Sequence, residues 1–173
     1  MINGIEKERE LLKEIKSHAR HIIDTSHIQT RLLREKLTDI FVENKGFDNL
    51  IITVLSFGYK FGIPEDSDLV LDVRFIPNPF YLSELKEQTG LDGEVKEYVL
   101  SHEVSRVFLA KTADMLGFLI PNYIKEGKNQ LVISIGCTGG KHRSVALTEE
   151  LSRFITEMGR NIQVRHRDIR KDV

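Results

Sequence analysis

The sequence predicts an α/β fold in which a mainly parallel sheet is flanked by helices. Short runs rich in β-branched and aromatic residues alternate with longer amphipathic segments, and this alternation is typical of a parallel sheet. A glycine-rich loop stands between one such run and the next helical pattern. With 173 residues, of which 40% are hydrophobic and 29% charged, the chain can bury one core and a small second unit.

Residues 1–45 are predicted to form that smaller unit. Apolar positions at helical spacing predict an amphipathic helix over residues 5–20. Residues 21–26 suggest a short strand, after which Thr25 or Ser26 would cap a second helix. We expect the unit to end near the glycine that follows this helix.

Residues 46–173 carry the pattern of the main domain. The apolar run that starts at residue 50 is expected to be a buried strand, and Gly159 stands where a left-handed helix end is expected. The predicted strands lie near residues 50–57, 69–73, 131–135 and 162–165, and the predicted helices near residues 94–101, 103–125 and 144–158.

The segment directly after the strand at residues 131–135 is the candidate phosphate site. Adjacent glycines let backbone N–H groups turn inward, and the following helix adds unpaired donors and the positive end of its dipole. Two cations, a histidine and two hydroxyls accompany them. An ordinary strand-to-helix turn is the alternative. The candidate residues are Cys137, Thr138, Gly139, Gly140, Lys141, His142, Arg143 and Ser144.

Polar side chains at the end of the strand near residues 69–73 are expected to face the same site. Asp72, Arg74 and Asn78 would lie beyond the carboxyl end of this strand, where parallel sheets bind ligands. Asp72 and Arg74 share one face of the strand, so an ion pair between them is the alternative. Lys60 follows the first strand of the domain and alone would be an exposed loop lysine.

The charge of the chain is nearly balanced, at −1, but it is unevenly distributed. Residues 137–173 contain eight Lys/Arg against five Asp/Glu. A basic stripe attracts phosphate backbones, although a solvated tail would have the same composition. The candidate RNA-binding residues are Lys60, Arg165, His166, Arg167, Arg170 and Lys171.

Other features of the sequence limit the location and chemistry of the protein. The single cysteine, Cys137, excludes an intramolecular disulfide, and no apolar stretch is long enough to span a bilayer. We therefore expect a cytoplasmic protein without membrane contact. His142 and His166 lack ligand partners at metal-binding spacing, so neither a metal nor a cofactor is expected.

Several long motifs of this chain resemble the RapZ/YvcJ family of nucleotide-binding and RNase-adapter proteins. The resemblance covers most of residues 46–173 and matches the C-terminal domain of that family, whereas residues 1–45 are similar to the closing strand and helix of its P-loop domain. No Walker A loop is present, so nucleotide hydrolysis is not expected of this chain, which we interpret as a fragment or truncated product. The motifs are residues 56–64, 72–79, 89–92, 136–145 and 164–167.

The resemblance implies a regulatory domain rather than an enzyme. It implies that the loop at residues 137–144 holds the phosphate of an amino sugar such as glucosamine-6-phosphate, while Asp72, Arg74 and Asn78 face the sugar. It also implies a small regulatory RNA and an endoribonuclease, or another regulatory protein, as partners, and makes self-association plausible. Phe80 departs from the histidine of RNA-adapter members, and two aspartates interrupt the basic tail.

Two other functions are compatible with the residues. Cys137, Arg143 and Ser144 reproduce the spacing of a cysteine-dependent phosphatase loop, in which a thiolate attacks phosphorus. A small polarisable residue packed under the loop is the simpler interpretation of Cys137. The other alternative is a protein-interaction module whose phosphate pocket is only regulatory.

Overall fold

A computed structural model describes the chain at residues 2–18, 22–26, 28–41, 50–128, 130–160 and 162–171. The chain divides into two compact units, residues 1–47 and 48–173. The end predicted for the first unit falls within residues 42–49, outside the described residues, so the exact boundary stays a prediction.

The first unit contains two helices, α1 (Ile2–His18) and α2 (Thr30–Phe41). The predicted strand between them is wrong for residues 22–26, which form neither strand nor helix, while residue 21 lies outside the described residues. A strand needs a hydrogen-bonded neighbour, and no other described segment of this unit is extended enough to provide one. Instead, the Asp24 carboxylate accepts a hydrogen bond from the Ser26 N–H at 2.9 Å. The predicted capping of α2 by Thr25 or Ser26 is also wrong, because this helix begins only at Thr30 and its first turn hydrogen-bonds to the Gln29 carbonyl.

The second unit alternates strands and helices as the sequence predicts. A short 3₁₀ helix, Tyr59–Phe61, follows the first strand, and another, Pro79–Tyr81, follows the second. The remaining elements are β1 (Ile51–Gly58), β2 (Leu69–Asp72), α3 (Gly93–Ser101), α4 (Glu103–Glu126), β3 (Gln130–Cys137), α5 (Arg143–Glu157) and β4 (Ile162–His166).

The four strands form one parallel sheet in the order β2-β3-β1-β4, which confirms the predicted fold class. In this register, Gly58 at the end of β1 lies opposite Cys137 at the end of β3, and Asp72 at the end of β2 lies opposite Gly136. The carboxyl ends of three neighbouring strands therefore meet at one edge of the sheet, where α/β proteins bind ligands.

The core of this unit lies between the central strands and the helices. β1 and β3 are buried along almost their whole length, as is usual for parallel strands covered on both faces. α5 buries Leu147, Leu151 and Ile155 on its inner face, and each such side chain contributes roughly 1.5–3 kcal/mol. Gly159 has a φ of +74°, so this helix ends in the left-handed conformation that the sequence predicts.

Candidate functional site

The loop between β3 and α5 lies backbone to backbone against the end of β1. Gly140 has a φ of +76°, and a Cβ atom there would lie 2.6 Å from the Gly58 nitrogen. A Cβ atom on Gly58 would in turn lie 2.5 Å from the carbonyl carbon of Gly139. The Lys60 N–H donates to the Thr138 carbonyl at 3.1 Å. Glycine is therefore required at both sides of this contact, which holds the loop in a tight turn.

Most N–H groups of this loop have no acceptor. Within the described part of the chain, the N–H groups of Thr138, Gly139, Lys141 and His142 donate no hydrogen bond. α5 begins immediately afterwards, at Arg143, and the N–H groups of a first helical turn also lack intrahelical acceptors. An anion at this point would accept hydrogen bonds from the loop and interact favourably with the helix dipole.

The Cys137 thiol lies under the loop. Its sulfur accepts a hydrogen bond from the Gly140 N–H at 3.2 Å and lies 3.2 Å from Ser144 Oγ. The cysteine is 3% exposed. These contacts stabilise the turn, and they place the sulfur beneath the loop backbone rather than at the surface of the site.

Arg143 is buried, and most of its guanidinium contacts protein atoms. One terminal nitrogen, Nη1, donates to the carbonyls of Arg74 at 2.9 Å and Ile76 at 2.8 Å, and Nη2 donates to the Thr138 hydroxyl at 3.1 Å. Three of the five N–H groups of a guanidinium are therefore used. The Nε–H is buried without an acceptor. Arg143 thus connects the loop to the segment after β2, and only its Nε–H and one Nη2–H donate no hydrogen bond within the described part of the chain.

The other side of the loop packs against residues 86–90. A Cβ atom on Gly90 would lie 2.2 Å from the His142 carbonyl oxygen, and the Gly90 N–H donates to the Lys141 carbonyl at 2.9 Å. His142 Nε2 lies 3.2 Å from the Lys86 carbonyl oxygen. Burial lowers the pKa of His142, so this residue is neutral at pH 7 and does not act as a cation there. Lys141 lies beside it and is half-buried.

The side chains predicted to face the sugar lie at the end of β2. Arg74 Nη2 and Asp72 Oδ2 form an ion pair at 2.6 Å, and the Arg74 guanidinium lies 4.0 Å from the centre of the Tyr59 ring. The hydrogen bond from Arg74 lowers the pKa of Asp72, whereas burial and Asp72 raise the pKa of Tyr59. Asn78 accepts from the Phe80 N–H at 3.4 Å. The ion pair that the sequence left as an alternative is thus present.

Asp168 joins the basic residues after β4 to the end of β1. Its carboxylate is fully buried and accepts hydrogen bonds from the Gly58 N–H at 2.9 Å, from Arg167 at 2.8 Å and from Lys171 at 2.7 Å. Burial alone would raise the pKa of Asp168, but these hydrogen bonds outweigh it and hold the pKa below its ordinary value. The aspartate that interrupts the basic tail in sequence therefore anchors that tail in the structure.

The predicted RNA-binding residues differ in how much of their charge is available. Arg167 and Lys171 pair with Asp168, and Arg167 also donates to the Gly62 carbonyl at 2.6 Å. Across the described ranges, Lys60, Arg165 and Arg170 contact no carboxylate.

His166 bridges β1 and α5. Its Nδ1 lies 2.8 Å from Ser56 Oγ and its Nε2 lies 3.1 Å from Glu149 Oε1. The ring is therefore held between two protein groups, and it connects β4 to β1 and α5.

Two hollows flank the segment after β4, and residues 169–171 line both of them. The first, of about 410 Å³, is lined by Phe80, Lys86, Glu87, Lys141, Ile169, Arg170 and Lys171. The second, of about 620 Å³, is lined by Thr89, Leu91, His166, Arg167, Ile169, Arg170 and Lys171. Both hollows are rich in cations, and Lys141 connects the first to the glycine-rich loop.

Sequence reasoning missed three residues that build this site. Gly58 and Gly90 permit backbone contact with the loop from opposite sides, and Asp168 holds the C-terminal segment in place. The glycines lie within motifs at residues 56–64 and 89–92, so an unusual glycine at a strand end was an available signal. Nothing in the sequence indicates that Asp168 is buried.

Two further observations concern metal binding and membrane-spanning helices. Among the residues that the structure describes, no group of three or more His, Cys, Asp or Glu side chains is placed to hold a metal ion. No helix within the described ranges has the length and apolar character that crossing a membrane requires.

The fold and the loop define an α/β domain with a glycine-rich loop at the carboxyl edge of a parallel sheet. Comparison with known families identifies it further, because the family described as the RapZ C-terminal domain matches residues 50–170. The RapZ-like N-terminal domain matches residues 1–45. The chain therefore belongs to the RapZ family.

Curated relatives carry the name "Nucleotide-binding protein". The relative from Caldicellulosiruptor bescii is 55% identical over 173 residues, which is all of this chain and 60% of that protein. The relatives from Ruminiclostridium cellulolyticum and from Clostridium botulinum strain Loch Maree are 54% and 52% identical, over 99% and 100% of this chain. Each of those two is covered over 59% of its own length. The chain thus spans about three fifths of the relatives that it matches.

Proposed function

We propose that residues 48–173 form a regulatory domain that binds a phosphorylated amino sugar at the glycine-rich loop and binds RNA through the basic residues beside it. One observation carries the ligand part of this proposal. The N–H groups of Thr138, Gly139, Lys141 and His142 have no acceptor within the described part of the chain. Because unpaired polar groups at a largely buried turn are costly, a ligand with several acceptor oxygens fits here.

A phosphate monoester matches the donors that converge on the loop. Its oxygens would accept hydrogen bonds from the loop N–H groups, and Lys141 would supply positive charge. The sugar would extend toward the end of β2, where Asp72 supplies carboxylate oxygens and Asn78 an amide. Asp72 would accept a hydrogen bond from the ammonium of an amino sugar, so we expect tighter binding of an amino sugar phosphate than of a sugar phosphate without an amino group.

The RNA part of the proposal rests on charge. Lys60, Arg165 and Arg170 contact no carboxylate in the described ranges, so phosphate groups can approach them without breaking an ion pair. Family membership supports an adapter role in which the bound RNA is presented to an endoribonuclease. Binding through these residues would weaken with salt, because each bound phosphate releases condensed counterions.

The geometry favours binding over catalysis by Cys137. A phosphatase of this loop type needs an exposed thiolate and an arginine that grips the phosphate. Here the sulfur is buried beneath the loop, and three N–H groups of Arg143 contact protein oxygens. We therefore propose no enzymatic function for this chain.

Calorimetric titration tests the ligand part of the proposal. Glucosamine-6-phosphate should bind saturably and more tightly than glucose-6-phosphate, while glucosamine without the phosphate should not bind. Lys141→Ala should weaken binding about tenfold, since the substitution removes a charge-assisted interaction with the phosphate. Lys111→Ala, at an exposed position of α4, is the matched control and should bind as the wild type does. Equal binding of glucosamine and its phosphate would overturn the ligand assignment.

RNA binding is tested separately, by fluorescence anisotropy with a labelled stem–loop RNA. The double variant Arg165→Ala/Arg170→Ala should lower the affinity and reduce the salt slope by roughly 0.7–0.9 for each RNA phosphate that is no longer neutralised. The double variant Lys111→Ala/Arg153→Ala, at exposed positions of α4 and α5, removes the same number of cations and is the matched control. An unchanged salt slope in the double variant would remove these residues from the RNA-binding surface.

A further inference from the structure

Phe80 lines the first hollow, and Tyr81 is its neighbour on a short 3₁₀ helix. Tyr81 is 83% exposed, and its ring lies 6.0 Å from the Phe80 ring at an interplanar angle of 79°. Both belong to the 3₁₀ helix Pro79–Tyr81, whose first residue is buried and which Asn78 caps. The Leu82 N–H donates to the Pro79 carbonyl at 2.9 Å, which closes the turn. An exposed aromatic ring on a fixed turn costs little conformational entropy to bind.

The hollow beside these rings carries uncompensated positive charge. Lys86, Lys141 and Arg170 line it and contact no carboxylate in the described part of the chain, and Lys171 pairs with Asp168. The Lys86 ammonium also lies 5.0 Å from the centre of the Phe80 ring. Glu87 is the one acidic residue among those that line this hollow. The first hollow thus combines positively charged side chains with the neighbouring aromatic rings of Phe80 and Tyr81.

We propose that this surface, formed by Phe80, Tyr81, Lys86, Lys141 and Arg170, receives an unpaired nucleotide of a bound RNA. The base stacks on Tyr81 or Phe80, and the adjoining phosphates contact the cations of the hollow. The inference rests on the proposed RNA-binding function and adds to it a preference for single-stranded nucleotides, in a loop, a bulge or a free strand.

The combination of rings and cations favours this occupant over others. A paired duplex exposes its phosphates but hides the faces of its bases, so it cannot use the exposed Tyr81 ring. An acidic peptide would pair with the cations but gains little from an aromatic ring. An unpaired nucleotide offers both a π-face and a phosphate, which is the chemistry by which proteins bind single strands.

Fluorescence anisotropy with two labelled RNAs of equal phosphate number tests the proposal in the full chain. One is an unstructured oligouridylate of 21 nucleotides, and the other is a blunt duplex of eleven base pairs, so that each carries twenty internucleotide phosphates. The wild type should bind the single strand more tightly than the duplex. Tyr81→Ala should weaken single-strand binding about tenfold with an unchanged salt slope, because the substitution removes a stacking surface but no charge. Tyr81→Phe should keep the wild-type affinity.

Phe118→Ala is the matched control, because Phe118 is an exposed aromatic residue, 70% accessible, that lies on α4 and lines neither hollow. It should bind both RNAs as the wild type does. Arg170→Ala should weaken binding and also reduce the salt slope, which separates the binding of phosphates from the stacking of the base.

Other outcomes overturn the inference in distinguishable ways. Equal affinity for the two RNAs, or wild-type binding by Tyr81→Ala, would remove the stacking site while leaving the proposed RNA-binding function in place. If the chain binds glucosamine-6-phosphate but no RNA, both this inference and the RNA part of the proposed function fail. Displacement of the single strand by polyglutamate at equal charge would indicate an acidic protein partner instead.

Discussion

At the scale of single residues, Gly140 shows how the loop depends on one backbone conformation. Its φ of +76° is unfavourable for other residues, and a Cβ atom would lie within 3.0 Å of the Gly58 nitrogen, the Phe57 carbonyl carbon and the Asp168 Cβ. Two of these are backbone atoms, which cannot move without displacing the end of β1. Conformation and space therefore both require glycine.

Gly140→Ala should destabilise the protein by about 2 kcal/mol or more and abolish binding of glucosamine-6-phosphate. Urea unfolding and calorimetric titration measure the two effects. Gly159→Ala is the control, because Gly159, at the end of α5, has a similar φ of +74° but nothing within 4 Å of the added Cβ. It should cost about 1 kcal/mol and leave ligand binding intact. Equal effects of the two substitutions would show that the close approach to β1 is unimportant.

At the scale of elements, Asp168 connects the segment after β4 to β1. The carboxylate is fully buried and accepts from the Gly58 N–H, Arg167 and Lys171, so its removal would release both the strand end and two cations. Because its pKa in the folded state is lowered below the ordinary 3.8, this stabilisation is present above that pH. It is lost as the pH falls from about 3.8 through the folded-state pKa.

Asp168→Asn should lower the free energy of unfolding at pH 7 by about 1.5–3 kcal/mol, since charge-assisted hydrogen bonds are replaced by weaker ones. The further loss of stability below about pH 4 should be smaller in this variant than in the wild type. Urea unfolding at pH 7, 4 and 3 checks both expectations. Asp66→Asn, at an exposed position, should match the wild type throughout. An Asp168→Asn variant as stable as the wild type at pH 7 would contradict the anchoring role.

The elements also show what sequence patterns can and cannot predict. The strands of the second unit were predictable because β1, β2 and β3 are mainly apolar runs and β4 alternates apolar and polar residues, and all of them find parallel neighbours. The segment at residues 22–26 has a similar local composition, but a strand forms only where a partner strand is available. Local patterns carry no information about that partner.

The candidate site was predictable to the same extent. Its position followed from the fold, since parallel strand ends converge at one edge. The role of Arg143 could not be predicted from the fold. Its guanidinium donates to carbonyls of the segment after β2, and the course of that segment cannot be read from the sequence. Asp168 likewise looked like a break in a basic tail, and only the closeness of Gly58 explains its burial.

At the scale of the whole molecule, the hydrophobic core belongs to the second unit. The buried core cluster runs from Leu50 to Ile155, and every strand of the sheet lies within residues 48–173. A domain of this size with its own core can fold alone. The glycine-rich loop and both hollows lie in this unit as well.

A chain of residues 48–173 should therefore unfold cooperatively and bind glucosamine-6-phosphate as tightly as the full chain. Thermal unfolding followed by circular dichroism, together with calorimetric titration, provides the comparison. A truncated chain that folds but binds the ligand more weakly would place part of the site in residues 1–47.

Whether the glycine-rich loop holds the phosphate is tested most directly by an amide ¹H–¹⁵N NMR titration of the full chain with glucosamine-6-phosphate, with inorganic phosphate as the second ligand. If the loop binds the phosphate, the largest downfield shifts fall on the N–H groups of Thr138, Gly139, Lys141 and His142, because these lack other acceptors. Both ligands should shift them, whereas only the sugar phosphate should also shift residues near Asp72. Saturable binding that leaves these four amides unchanged would contradict phosphate binding at the loop.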